Sequence, residues 1–331
     1  VGDRATFPRL ATGEQAGEPS MSLSQPAGNA ERSYAAPRKK LFKQSTLSSL
    51  WGYFFIFPSL LMFLVFSLYP MFDSVKLSFQ KFSLRGREWV GLANYHSLID
   101  DPYFGTILKN TLMFALAIVP IGVLLSLTLA TLIYRLPTGA QIFFKSAYYL
   151  PVVTSGVVLS LVWLYLYDPA FGLINFMLGK LGIEPVLWLS NPDTSLISLV
   201  MMYHASHWGG AIILLTASMG GIPKDLYEAA RLDGASFFRQ TVSITVPLLK
   251  PAITYVAITG TIASVQIFTE IMLMTRGGPN YATTNMVYSI YDFGFIRFDF
   301  GRASAMAVLL LLLTIGIAVA QFRLLRSNVE Y

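Results

Sequence analysis

Gln266 and Glu270 lie four residues apart in an apolar run, a spacing that puts an amide and a carboxyl on one face of a helix. An ionisable group at that depth is costly unless it serves a path for a polar solute or a proton, or answers a polar group on a neighbouring helix. The spacing leaves both readings open. Thr154 and Ser155 add hydroxyls that either line such a path or bond back to carbonyls of their own helix. Trp163 and Tyr165 add rings that either face a hydroxyl-rich solute or sit in the interfacial aromatic belt. His204 and His207 stand three apart beside Trp208, but a metal centre needs a further ligand and none is near in sequence, so core or interface packing is the expected role. His204 with a serine lacks the ordered base that a nucleophile requires. A phosphate-binding G-x-x-x-x-G-K-[ST] loop is absent, since the pairs Gly209-Gly210, Gly220-Gly221 and Gly277-Gly278 lack its lysine and strand context. Gln266, Glu270, Thr154, Ser155, Trp163 and Tyr165 are thus candidates for lining a path for a polar solute, each with a structural reading beside it, and no catalytic set or nucleotide-hydrolysing loop is evident in the sequence.

The elements that must carry these groups follow from hydropathy. The 331 residues are 54% hydrophobic and only 13% charged, against roughly 25% in an average soluble domain. Mean hydropathy is +0.56, an integral-membrane value. Net charge is +6, but the basic residues form no single long run, so membrane flanks explain the excess better than nucleic acid does. With no cysteine there is no disulfide frame and no thiolate metal site. A bilayer core needs about 20 apolar residues per helix, and six stretches qualify: 51–70, 111–134, 148–167, 195–219, 251–274 and 303–325. Pro58 and Pro120 fall inside two of them, where kinks are expected, and Pro151 lies near a span's start. No run of about ten alternating residues suggests a β-barrel, so the class is all-α, a polytopic membrane protein with six transmembrane helices.

Residues 1–45 are rich in Pro, Gly, Ser, Gln and charge and are expected to form a disordered tail ahead of a membrane domain over 46–331. Arg38, Lys39, Lys40 and Lys43 precede the first span, which by the positive-inside rule puts the N-terminus in the cytoplasm. Six crossings return the C-terminus there and leave loops 135–147 and 220–250 cytoplasmic. Loops 71–110, 168–194 and 275–302 then face out, and the excess of Lys and Arg inside is modest.

The loop 220–250 is the most ordered of these. Pro223 suits a first helical position, Asp225 puts negative charge in the first turn, and Gly234 fits the left-handed residue that ends a helix. Ile222, Leu226, Ala229 and Ala230 recur at offsets that share one face. Ser236 can cap a second helix carrying Phe237, Phe238, Val242 and Ile244 before Pro247 interrupts it. From these residues alone, an amphipathic helix lying on the membrane surface remains as good a reading as a docking helix.

The stretch 228–247, EAARLDGASFFRQTVSITVP, resembles the EAA motif of binding-protein-dependent ABC permeases: Glu228, Ala229, Ala230, then Gly234, Ile244 and Pro247 at the family spacing, with Val246 where leucine is usual. FTEIMLMTRGGP at 268–279 resembles the sugar-permease pattern around a Thr-x-Gly-Gly-Pro turn, with Thr269 replacing the usual aspartate. TTNMVYSIYDFGFIRFDFGRASAMA at 283–307 is similar to the same family, so the likeness covers 51–331. It implies a type I ABC importer permease in a bacterial or archaeal cytoplasmic membrane, moving a carbohydrate or carbohydrate-like solute. It also implies the partners: two nucleotide-binding ATPase subunits that hold the ATP and Mg, a second permease chain as a heterodimer, an extracytoplasmic solute-binding protein, and lipid. Glu228, Ala229, Ala230, Asp233 and Gly234 are then the ATPase-coupling residues. The Gly277-Gly278-Pro279 turn faces outward, toward the binding protein or second permease or simply as a turn. An ion-coupled secondary transporter of a small polar solute is the alternative, although such proteins usually cluster charges at a midplane site between inverted repeats.

Overall fold

The computed structural model describes residues 43–83 and 86–325. The expected tail, 1–45, lies outside these apart from its last three residues. The chain divides after Leu60 into two units. The described part of the first is most of helix α1 (Lys43–Phe63), where Trp51, Phe54 and Phe55 pack on one another along the helix.

The second unit opens with a π-helical turn at Leu64–Leu68 and α2 (Tyr69–Leu77). A hairpin of β1 (Gln80–Ser83) and β2 (Gly86–Trp89) follows, with Gln80 opposite Trp89, so the all-α class holds with one small exception. Arg87 donates both guanidinium nitrogens to Asp73, at 2.9 and 3.1 Å, tying the hairpin to α2. After α3 (Ala93–Ile99), helix α4 (Phe104–Tyr134) runs 31 residues, about 46 Å at 1.5 Å per residue, and continues unbroken through Pro120. It is the post on which the rest is hung.

Six crossings are reached, but only three by single helical runs: Trp51–Leu77, Phe104–Tyr134 and Phe300–Leu325, the last being α15. The other three are bent pairs. Helices α5 (Thr138–Val153) and α6 (Gly156–Leu166) meet at 99°, so most of the expected loop 135–147 is helical. After the short α7 (Leu173–Lys180), α8 (Pro192–Ser206) and α9 (Gly209–Met219) meet at 44°. The segment 237–248 and the helix that starts at Lys250 meet at 74°. The breaks do not fall at Pro58 or Pro120. Pro151 sits in the last turn of α5, and Thr154 and Ser155 beyond it are extended. At the third break, Leu249 precedes a helix with Pro251 in its first turn, where the missing N–H cannot continue the ladder from Pro247.

Three apolar clusters hold the second unit. The largest packs Phe114 and Ile118 of α4 against Met202, Tyr203, Trp208 and Leu215 of the α8–α9 pair. A second joins Leu98, Ile107, Met286 and Phe293 to Ala305, Met306 and Leu310 of α15. The third, Met219, Ile222 and Leu249, lies at the C-terminal end of α4. Lipid provides no hydrophobic force between helices, so close approach over small residues matters. Trp208 lies directly on Gly122 of α4, where any Cβ would overlap its ring, and it also closes on Gly260. Gly122→Val should therefore displace Trp208 and destabilise the bundle by about 1–3 kcal/mol, read as a fall in the thermal midpoint of the detergent-purified protein. An unchanged midpoint would contradict this packing.

Candidate functional site

Two constellations stand at different levels of α4. The first is at its C-terminal end, on α10 (Lys224–Leu232). This helix stops as its sequence predicts. Gly234 has φ +75°, the Gly234 N–H bonds the Arg231 carbonyl at 3.0 Å, and the Ala235 N–H bonds the Ala230 carbonyl at 2.8 Å. That pair of bonds is a Schellman stop, closed by the one residue type that takes this φ without strain. Asp225 lies in the first turn, but Pro223 is extended and precedes the helix instead of opening it. Ser236 then caps α11 (Phe237–Gln240), accepting from the Arg239 N–H, and a π-helical turn at Thr241–Thr245 leads through α12 (Val246–Leu248) to the bend.

The back of this helix pair is fastened to the body. Tyr227 and Thr245 share a hydroxyl hydrogen bond of 2.9 Å, Gln240 donates to the Ala235 carbonyl at 2.8 Å, and Arg135 at the end of α4 donates to Gln240 at 3.1 Å. The Arg135 guanidinium also lies 4.0 Å over the Phe237 ring, and burial with Arg231 nearby holds its pKa below the usual arginine value. The front is open. Leu232 is 90% and Phe238 76% exposed, with Leu226, Glu228, Ala229, Asp233 and Gly234 also exposed and Ala230 half-buried. The expected single stripe is thus split: Ile222 precedes the helix and packs inward, while Leu226 and Ala229 point away from the protein. The phase differs because 222 and 223 are not helical, so offsets counted from Ile222 do not apply.

The second constellation gathers where the spans break. Helix α13 (Lys250–Val265) ends at Gln266, which is exposed, and the chain is not helical again until Thr269. Gln266 and Glu270 therefore do not share a helical face as their spacing predicts, because the helix that would align them is interrupted. Asn285 answers the interruption by donating to the Ile267 carbonyl at 2.7 Å. Glu270 is 9% exposed and leads a π-helical turn at Ile271–Thr275. Its Oε1 is 3.4 Å from His207 Nε2, and His207 is the residue at the α8–α9 break. A Cβ on Gly156, the first residue after the α5–α6 break, would meet both Glu270 and Thr269 at 3.8 Å. Three broken helices thus converge on one carboxylate. Non-helical backbone at membrane depth is tolerated where it is buried in protein or lines a cavity.

Beside this meeting point is a cavity of about 440 Å³ bordered by Tyr203, His207, Trp208, Tyr255 and Thr259. His207 stacks flat on Tyr203, centroids 4.1 Å apart, and His204 stacks on Trp208 while its Nε2 meets the Ala117 carbonyl at 3.2 Å. Thr154 lies at the α5–α6 break with its hydroxyl bonded back to the Leu150 carbonyl at 2.9 Å, and Ser155 beside it is exposed. Trp163 packs against the main cluster and donates to Ser206 at 3.3 Å. Tyr165, 66% exposed, is not brought to the cavity. Spacing alone missed His207, Tyr203 and Tyr255; the one available signal was the histidine pair beside Trp208, read as packing. Among the described residues no cluster of three or more His, Asp or Glu could hold a metal ion.

No family model matches the chain. Individual relatives do. It is 32% identical over 285 residues to the sn-glycerol-3-phosphate transport system permease protein UgpA of Yersinia pestis, covering 84% of this chain and 95% of that protein. It is 32% identical over 284 residues to the probable ABC transporter permease protein YurN of Bacillus subtilis, covering 84% and 97%. The sulfoquinovosyl glycerol transport system permease protein SmoG of Agrobacterium fabrum is 31% identical over 280 residues, covering 82% and 89%. In fold the chain is similar to a chain of a bacterial ABC transporter involved in the import of the acidic polysaccharide alginate, with a TM-score of 0.77 at 22% identity over 87% of this chain and 99% of that one. With relatives of this identity aligned over nearly their whole length, and six apolar crossings, the chain belongs to the sugar permeases of ABC importers, multi-pass proteins of the inner membrane.

Proposed function

We propose that this permease moves a carbohydrate or carbohydrate-like solute through the meeting point of its broken helices, driven by ATP hydrolysis on two partner ATPase subunits that grip α10. The complex includes a second permease chain, forming a heterodimer, and an extracytoplasmic solute-binding protein, with ATP and Mg held by the ATPase subunits. Both termini and α10 lie in the cytoplasm. What supports the coupling role is one observation: α10 is fastened behind by Tyr227, Gln240 and Arg135 while it presents Leu226, Ala229 and Leu232 unpartnered in front. A lever must be rigid toward the load and open toward the motor. Glu228, Ala229, Ala230, Asp233 and Gly234 are then the coupling surface, and ATP-driven closure of the ATPase pair tips the spans from inward-open to outward-open.

Glu270, with Gln266, Thr154 and Ser155 at the breaks, borders the path, and His207, Tyr203 and Tyr255 join them. Trp163 supports that wall from behind, and Tyr165 belongs to the lipid or second-chain face. Rings with a few placed polar groups suit a hydroxyl-rich solute, consistent with the glycerol phosphate and sulfoquinovosyl glycerol in the names of two relatives.

The test is uptake into proteoliposomes holding the full complex. Uptake should require ATP and the binding protein and should survive an ionophore; uptake driven by an ion gradient alone would instead establish a secondary transporter. Because the chain has no cysteine, Leu232→Cys in the permease without its ATPase subunits gives a single label site on this chain, which should react only from the cytoplasmic side.

A further inference from the structure

At the opposite end of α4 lies a pocket of about 530 Å³ that neither constellation uses. It is bordered by Tyr103 just before α4, by the segment 276–284, and by Tyr288 and Asp292 of α14 (Met286–Tyr291) and its π-helical continuation Asp292–Ile296. Its rim carries unusual backbone. Arg276, Asn280 and Tyr281 have φ of 52°, 49° and 60°, and none is glycine. Such conformations cost of order 1–3 kcal/mol each and persist only where the surroundings over-determine them.

The surroundings do so here. Buried Asn110 donates to the carbonyls of Tyr281 at 2.8 Å and Thr284 at 3.0 Å. Thr283 donates to the Gly278 carbonyl at 2.9 Å, and Thr284 to that of Gly277 at 2.7 Å. A Cβ on Gly277 would press on Thr284 and the Tyr288 ring, at 2.5 and 2.8 Å. The TRGGP turn is therefore a rigid frame, and what it frames is Arg276 beside a flat pair of rings, Tyr103 stacked on Tyr281 at 3.9 Å.

The lining carries two carboxylates, Asp101 and Asp292, and two guanidinium groups, Arg276 and Arg297. Asp292 is paired with Arg297 at 2.7 Å, and Asp101 accepts from the Tyr103 backbone N–H at 2.8 Å. Among the described residues no carboxylate lies within ion-pair distance of Arg276. A guanidinium without a carboxylate recognises a planar or tetrahedral oxyanion through paired N–H donors, and phenol rings beside it suit the C–H face and hydroxyls of a sugar or polyol.

The geometry points to a receiving subsite for an acidic solute: a sugar or polyol carrying a carboxylate or phosphate, its anion on Arg276 and its carbon frame against Tyr281 and Tyr288. This subsite is separate from the Glu270 meeting point, and it deepens the transport reading, on which it rests, by naming the solute as acidic. The test uses the full complex in nanodiscs without binding protein, titrated with glucuronate and with sn-glycerol 3-phosphate, each against its neutral counterpart, glucose or glycerol. The acidic probes should bind and the neutral ones should bind at least about tenfold more weakly. Arg276→Gln should weaken the acidic probes by about tenfold or more, and Arg276→Glu should abolish them, while Arg276→Lys keeps part of the affinity. Preference for one acidic probe tells carboxylate from phosphate. Equal binding of neutral and acidic probes, or Arg276→Gln binding like the unaltered chain, overturns the assignment. So does loss of binding-protein affinity in Arg276→Gln without any probe binding, which would make the pocket a protein-docking surface. ATP-driven uptake by the unaltered complex is scored separately, so a silent pocket leaves the transport reading standing, and ATP-independent uptake removes that reading while probe binding still decides the pocket.

Discussion

A Gly234→Val chain should assemble in the membrane yet lose binding-protein-stimulated ATP hydrolysis and uptake by at least about tenfold, whereas Gly234→Asn should keep most of both. The space around Gly234 is open, with nothing within 4 Å of a built Cβ, so the valine does not clash with a neighbour. The penalty is confined to the backbone. At φ +75° an L-residue loses roughly 1–2 kcal/mol, more for a β-branched side chain, while asparagine tolerates this region. A difference of about 1.4 kcal/mol already shifts an equilibrium tenfold. Relief comes by unwinding the stop, which breaks the Ala235-to-Ala230 bond and frees the segment that Gln240 holds. Leu232 and Asp233 then lose their fixed attitude, and a lever with a loose end transmits nothing. Since folding of the spans does not depend on this turn, membrane abundance is the control. A valine chain that couples ATP to transport normally would remove α10 from the mechanism.

How legible this was differs between the two sites. The α10 stop is local: Ala230, Gly234 and Ser236 determine it within one turn, so spacing was enough to locate it. The spans were legible as apolar mass, but not as broken helices. Hydropathy averages over Thr154–Ser155 and His207–Trp208 as though nothing happened there, while the third bend, at Leu249, falls just ahead of the expected span 251–274. The interruption at Gln266 is stabilised by Asn285, a partner 18 residues away, and nothing near Gln266 announces it. Trp163 and Tyr165 show the same limit at closer range. Two residues apart on one helix, they point about 200° apart, so they could not both face one path, and only the neighbouring helices decide which turns inward. The TRGGP turn was legible as a turn; that it strains Arg276 and Tyr281 around a pocket depends on Asn110, far away in sequence.

His207→Leu should be the most damaging single change at the meeting point. It leaves Glu270, 9% exposed and packed beside Gly156, without the one histidine that lies within ion-pair distance of it among the described residues. Leaving a largely buried carboxylate without its hydrogen-bonding partner costs on the order of 1–3 kcal/mol, because the orphaned group must take a proton, draw in water or move. Any of these shifts the ends of α6, α9 and the π-helical turn at Ile271–Thr275 together, since all three meet at this carboxylate. Expected results are a clear fall in thermal midpoint and loss of uptake. Glu270→Gln should be milder in stability, as a neutral amide of the same shape can still meet His207. The pair His207→Leu with Glu270→Leu separates scaffold from path. If the two groups only held the helices together, an apolar replacement would recover stability and transport alike. If they border the solute, stability returns while uptake does not. A His207→Leu chain as stable as the original would mean that the 3.4 Å approach carries no energy, and the convergence of three breaks on Glu270 would then have to be explained by packing over Gly156 and Trp208 alone.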